Sequence, residues 1–236
     1  MKSRYAALLL LSVGPAIAFR TSGATLWLIY GAVVAIAAGL ALWELHQDGI
    51  LRDVFKREGF DLMIGLAVAA GLYASVFLAW KYWIAPASVA NGILSRCRVD
   101  GPLLPRLEAH GIDRVAEWFR GQVCRGYGAT LGIDLRVRSA VVFTVAALEE
   151  IAWRGGVQQL FSEKFGSTRG WIAASVVFAL VHALTPTPAL ALLALPCGLA
   201  WGALFRFRGR LLTGVFSHAV FSMYLFSSMP LVSFSR

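Results

Sequence analysis

Between Ser139 and Leu160 the chain reads as a membrane helix, yet its middle is "ALEEIAWRGG" (147–156), with Glu149 and Glu150 adjacent and Arg154 four residues beyond the second. A charged side chain at mid-bilayer costs about 2.5–3.5 kcal/mol even on the lenient insertion scale, so such groups face a protein interior or a water-filled cavity. Successive residues of an α-helix point about 100° apart, so the two glutamates cannot share a direction. Glu150 and Arg154 fall on one face, in the acid-first order that favours pairing. This assigns Arg154 to Glu150 and leaves Glu149 freer to face a cavity as a general base. The bland alternative is a buried structural Glu–Arg pair beside a spectator acid.

Two histidines lie on apolar helices downstream, His182 in "SVVFALVHALTP" and His218 in "LLTGVFSHAVFSM". Either one alone could serve as a hydrogen bond between helices. Together the five residues put two acids, an arginine and two imidazoles on three spans. Carboxylates with two histidines can hold a divalent metal such as zinc. Equally, a glutamate can activate water directly while histidines stabilise the oxyanion of an attacked peptide carbonyl. Both chemistries hydrolyse an amide within the membrane. Ser217 and Ser222 flank His218, but nothing supplies a serine-type triad.

The elements that must position these groups are apolar helices. The 236 residues are 58% hydrophobic and 15% charged, beyond what soluble domains carry. The expected fold is all-α: a polytopic transmembrane bundle of about seven spans near 5–19, 24–43, 61–84, 139–160, 171–186, 188–205 and 211–230. The first also resembles a cleavable signal peptide, with its basic start, short apolar core and Ala16-Ile17-Ala18. "TPTP" (185–188) marks a tight hairpin between the fifth and sixth. The net charge of +9 resides in short connections, as membrane orientation requires, and no module for nucleic acid is present. Arg4, the 52–57 cluster, Lys164 with Arg169, and the 206–210 arginines fall on one side if seven spans alternate, placing the N-terminus in the cytoplasm. The 85–138 connection then lies outside despite its eight arginines.

Within that connection, "IDRVAEWFRGQV" (112–123) sets Ile112, Val115, Trp118, Phe119 and Val123 against Asp113, Arg114, Glu117 and Arg120. This is an interfacial amphipathic helix or a loop helix packed on the bundle. Three widely spaced cysteines, Cys97, Cys124 and Cys197, show no zinc spacing and read as small hydrophobes or ordinary loop thiols. One membrane domain, 1–236, accounts for the whole chain.

The polar set resembles the motifs of the CPBP (CAAX protease and bacteriocin-processing, or ABI) intramembrane endopeptidases, relatives of the Rce-type prenyl-protein endopeptidases. Glu-Glu-x-x-x-Arg stands here as Glu149, Glu150 and Arg154, followed by Gly155. Phe-x-x-x-His stands as Phe178 and His182, and a third motif begins at His218. The likeness spans about 138–230, the expected catalytic core. It implies that Glu149 activates water, assisted by Glu150, which Arg154 holds. It further implies that His182 positions the water or the scissile carbonyl and that His218 stabilises the oxyanion. The glutamate-type mechanism implies no cofactor; the alternative is a divalent metal such as zinc. The implied partners are the lipid bilayer and a membrane protein or peptide as substrate, and the implied location is a multi-pass place in a prokaryotic inner membrane. The chain departs from the pattern at Ser222, where the family has Asn or Asp. Serine donates a hydrogen bond over a shorter reach, which keeps open a non-catalytic binding or bacteriocin-immunity protein of the same fold. Oligomeric state and prenylation of the substrate leave no mark in the sequence.

Overall fold

The computed structural model describes residues 2–84, 97–98, 112–130, 133–228, 230–231 and 233–234, so most of the 85–111 stretch lies outside the described residues. Helices occupy all seven apolar runs. They are α1 (Lys2–Ala18), α2 (Gly23–Gln47), a short α3 (Leu51–Val54), α4 (Asp61–Ala79), α5 (Ile112–Ala129), α6 (Leu135–Glu150), α7 (Gln159–Phe165), α8 (Ser167–Ala183), α9 (Leu190–Arg208) and α10 (Leu211–Met223). Three π-helical stretches continue them: Trp80–Ile84 after α4, Ile151–Gln158 between α6 and α7, and Tyr224–Ser228 after α10. Residues Cys97–Arg98 and Ser233–Phe234 pair as a two-residue antiparallel ladder.

Local chemistry sets the ends. The Asp134 carboxylate accepts from the backbone N–H of Arg136 (2.9 Å) and Val137 (3.4 Å), capping α6. At the C-terminus of α9, Gly209 takes a left-handed conformation (φ +66°), with Arg206 and Arg208 in the last turn facing the negative end of the helix dipole. Pro186 and Pro188 sit between α8 and α9, as their punctuation requires. Pro196, by contrast, lies inside α9 and removes a backbone donor there.

Among the described residues four stretches are long and apolar enough to cross a membrane: Gly23–Gln47, Asp61–Tyr82, Leu190–Arg208 and Leu211–Ser228, with Ser3–Ala18 a shorter apolar helix. Large apolar side chains such as Leu9, Leu28, Met63 and Leu192 point outward, as they do on an integral membrane protein. The 139–160 run is not one regular helix. It breaks into α6, the π segment and α7, the last ending at Gly166 (φ +81°), from which α8 turns back.

Several of the basic residues that the sequence assigns to the orienting clusters are ion-paired. Arg4 is buried and bonds Asp48 and Glu163, joining α1 to the end of α2 and to α7. Arg208 and Arg210 both engage Glu58 and Asp61, and Asp61, fully buried, also accepts from Thr213 Oγ1 (3.1 Å). The hydrogen bond from Arg210 holds the exposed Glu58 carboxyl below its ordinary range. Between the two networks, Leu45, Val54, Phe205 and Leu211 form a small apolar cluster, so these helix ends meet at one end of the bundle. The main core lies among α1, α2, the Ile151–Gln158 segment, α8 and α9, around Leu11, Val34, Trp153, Phe178 and Trp201.

The α7–α8 corner depends on closeness that a side chain would prevent. A Cβ at Gly170 would lie 2.4 Å from the Ser162 backbone N and 2.6 Å from the Phe161 carbonyl carbon. Backbone cannot swing aside, so Gly170→Ala is expected to destabilise by about 1–3 kcal/mol. Thermal unfolding in detergent measures this; an unchanged Tm would refute the packing account.

Candidate active site

Glu149 and Glu150 end α6, and Arg154 lies within the π segment that begins at the next residue. π turns are rare and concentrate at functional sites. Across this junction Arg154 Nε lies 3.3 Å from Glu150 Oε2, close enough for an ion pair though not aligned as a hydrogen bond. Both residues are wholly buried. His218, from the middle of α10, meets the other oxygen: its Nδ1 is 3.2 Å from Glu150 Oε1. Only a bare α10 backbone admits the acid this closely, since a Cβ at Gly214 would stand 2.9 Å from Glu150 Oε2.

Glu149 points elsewhere. It lines a cavity of about 420 Å³, which Glu150 and Arg154 do not line. The division between paired and cavity-facing acid follows the helical geometry read from the sequence. Glu149 is nonetheless not without a partner, because the Tyr30 hydroxyl on α2 donates to its Oε1. On the other side, His218 Nε2 stands 3.9 Å from Glu149 Oε2, too far for a direct hydrogen bond.

His182, in the last turn of α8, lines the same cavity. Its Nδ1 lies 2.8 Å from the Phe178 carbonyl, one turn back, which makes Nδ1 the protonated nitrogen and leaves Nε2 as an acceptor. Phe178 ties the two halves of the site together. Its ring lies 4.5 Å from that of His182 and 5.4 Å from the Arg154 guanidinium carbon, and meets Trp153 edge-on at 5.2 Å. Ser222 also lines the cavity, one turn beyond His218.

The structure thus brings Glu149, Phe178, His182, His218 and Ser222 to one cavity, with Glu150 and Arg154 packed behind them. Three supporting residues carried no sequence signal: Tyr30, Gly214, and Trp201, whose ring stacks on His218 at 3.7 Å and 21°. Trp201 is itself fixed by its Nε1, which donates to Ser217 Oγ (3.2 Å).

The rest of the wall is largely apolar and comes from α2, α4 with the π turn after it, α5, α6, α9, and α10 with the π turn after it. On α5 the exposed and buried faces differ from the sequence expectation. Arg120 and Gln122 are buried, while Val115 and Trp118 are 56% and 44% exposed. Lining a cavity turns Phe119, Gln122 and Val123 inward and carries Val115 and Trp118 to the outside. Cys197 is a buried thiol, as a small hydrophobe would be, whereas Cys124 is buried and disulfide-bonded rather than an ordinary loop thiol.

Residues 135–224 match the family model described as type II CAAX prenyl endopeptidase Rce1-like. This stretch is similar to Rce1-like domains. It runs from the start of α6 to the first residue after α10 and holds every motif residue named above. The likeness is to a family of endopeptidases and is confined to this stretch of the chain. No curated protein and no solved structure shows a significant match.

Among the described residues no three His, Cys, Asp or Glu side chains converge as a metal requires. Both Glu150 oxygens and His218 Nδ1 are already engaged with one another or with Arg154.

The Gly214 contact yields a test. Gly214→Ala pushes a methyl group against the Glu150 carboxylate, disturbing a buried ion pair without touching the cavity wall. It is expected to destabilise by about 1–3 kcal/mol. Gly39, beside which a Cβ has open space, provides the control. Equal Tm values for Gly214→Ala and Gly39→Ala would refute the close approach of α10 to Glu150.

Proposed function

We propose that this protein is an intramembrane glutamate-type endopeptidase that cleaves a membrane-associated protein or peptide. The observation that carries the reading is the unequal setting of two neighbouring acids: Glu150 wholly buried and paired, Glu149 at the cavity wall between Tyr30 and His218. Glu149 takes a proton from water as that water attacks the scissile carbonyl. His182 Nε2 accepts a hydrogen bond from the same water and aims it. His218 donates from Nε2 to the developing oxyanion, while its Nδ1–H stays on Glu150 and Arg154 offsets the charge of that acid. The 3.9 Å between His218 and Glu149 is a span that a reacting oxygen can bridge. Glu149 then passes its proton to the leaving amine. Ser222 supports the oxyanion side in place of the family's Asn or Asp, and Tyr30 positions Glu149.

The same reading covers topology: about seven spans in a prokaryotic inner membrane, with the N-terminus cytoplasmic. The disulfide at Cys124 suits an oxidising compartment, the side to which alternation assigns the 85–138 connection.

Glu149→Gln is expected to abolish the appearance of new protein termini in membranes of complemented cells, a loss of at least about 100-fold for a general base. Full activity in that variant would sink the mechanism. If Glu149→Gln matches wild type in complementing a phenotype without new termini, the non-catalytic binding reading replaces it. Tyr30→Phe keeps the ring and removes one hydrogen bond to a carboxylate, so kcat is expected to fall about tenfold at unchanged KM. A rise in KM alone would assign Tyr30 to substrate binding instead.

Chelation separates the two chemistries. Prolonged dialysis against EDTA and 1,10-phenanthroline is expected to leave cleavage unchanged. Loss of activity restored by zinc would replace the metal-free mechanism with a metal-dependent one.

A further inference from the structure

Three polar atoms in the cavity wall lack a hydrogen-bond partner among the described residues, though each is hidden from solvent: Gln122 Oε1 on α5, Trp27 Nε1 on α2, and Trp80 Nε1 in the π turn after α4. Gln122 and Trp80 are 4% and 3% exposed. Leaving such an atom unpaired costs about 1–3 kcal/mol, and native proteins seldom do so without a functional reason. Here three orphans share one cavity, from three different elements. None of them belongs to the proposed hydrolytic set.

Their chemistry defines what would pair with them. An indole N–H only donates, and a glutamine carbonyl oxygen only accepts. Among the described residues no Lys or Arg lines the cavity, so a carboxylate or phosphate would find no counter-ion there. A neutral ligand that offers both N–H and C=O, flanked by apolar groups, fits. A peptide main chain with apolar side chains has that composition. Inside a membrane it also needs partners, because its own amides cannot be left bare. The place is apt as well: Trp27 lies three residues before Tyr30, on the same face of α2, and Tyr30 touches Glu149.

We propose that Gln122, Trp27 and Trp80 form a main-chain-binding subsite for the substrate, with Gln122 accepting a peptide N–H and the two indoles donating to peptide carbonyls. The proposal rests on the endopeptidase reading for the identity of the ligand, and binding is therefore measured apart from turnover. The probe is a fluorescein-labelled ten-residue peptide of Ala, Leu, Val and Gly, titrated by anisotropy against full-length protein in detergent carrying Glu149→Gln. Adding Gln122→Leu is expected to weaken binding about tenfold, and Trp27→Phe or Trp80→Phe about three- to tenfold, for the loss of one hydrogen bond each. A probe N-methylated at the amide that Gln122 accepts is expected to bind Glu149→Gln about tenfold more weakly, with no further loss when Gln122→Leu is added. That non-additivity distinguishes a direct bond from a variant that merely disturbs α5.

Unchanged binding in all three variants, or loss in Gln122→Leu that adds fully to the effect of N-methylation at every position, would overturn the subsite. Cleavage of the probe by the otherwise wild-type chain is scored separately. Binding that depends on Gln122 without any cleavage defeats only the protease reading. Cleavage with binding indifferent to these three residues defeats only the subsite.

Discussion

A fully buried carboxylate–guanidinium pair is the constraint around which the C-terminal half of this protein is arranged. Taking two ions out of water costs several kcal/mol each, and their attraction compensates only when further groups support them. Glu150 and Arg154 obtain that support from two other helices. His218 of α10 meets one carboxylate oxygen, and the Phe178 ring of α8 lies against the guanidinium. Gly214 leaves α10 without a side chain where it passes the acid, and Gly155 lets Leu45 and Leu211 close over the other side. The motif residues therefore hold one another in place before any substrate is considered.

That bracing gives two adjacent glutamates different surroundings. One is locked in an ionic network that fixes the orientation of His218. The other meets a single phenol and a cavity. The mechanism we propose uses this difference: a general base needs fixed direction together with access to water, and the pairing of the first acid leaves the second at the cavity wall. Trp201 completes the arrangement by holding the His218 ring flat against an indole anchored on Ser217.

Much of this was legible in the sequence because ionisable groups in apolar helices are conspicuous and expensive. Glu149, Glu150, Arg154, His182 and His218 stood out for that reason, and helical spacing sufficed to pair Glu150 with Arg154. Tyr30 did not stand out: one tyrosine in "LWLIYGAVV" resembles any aromatic in a span, and its value comes from a contact across 119 residues. Gly214 and Trp201 are equally ordinary by type. The inner face of α5 was not legible, for a physical reason. Amphipathicity shows how residues divide around a helix but not that a cavity will draw a glutamine inward or that an arginine will be buried. Likewise Arg4, Arg208 and Arg210 looked like loop charges until the acids that meet them came into view from distant segments.

The π segment carries a consequence for how the gene can vary. A π turn closes its hydrogen bonds one residue later than an α turn, so eight residues from Ile151 to Gln158 occupy a path that regular helix would fill with fewer. Deleting one residue there would draw the turn back toward regular helix and leave the flanking helices on much the same path. In a regular helix the same loss would rotate everything beyond it by about 100°. The wide turn thus gives this stretch a tolerance of length that the helices around it lack, so long as the residues that set Arg154 opposite Glu150 are kept.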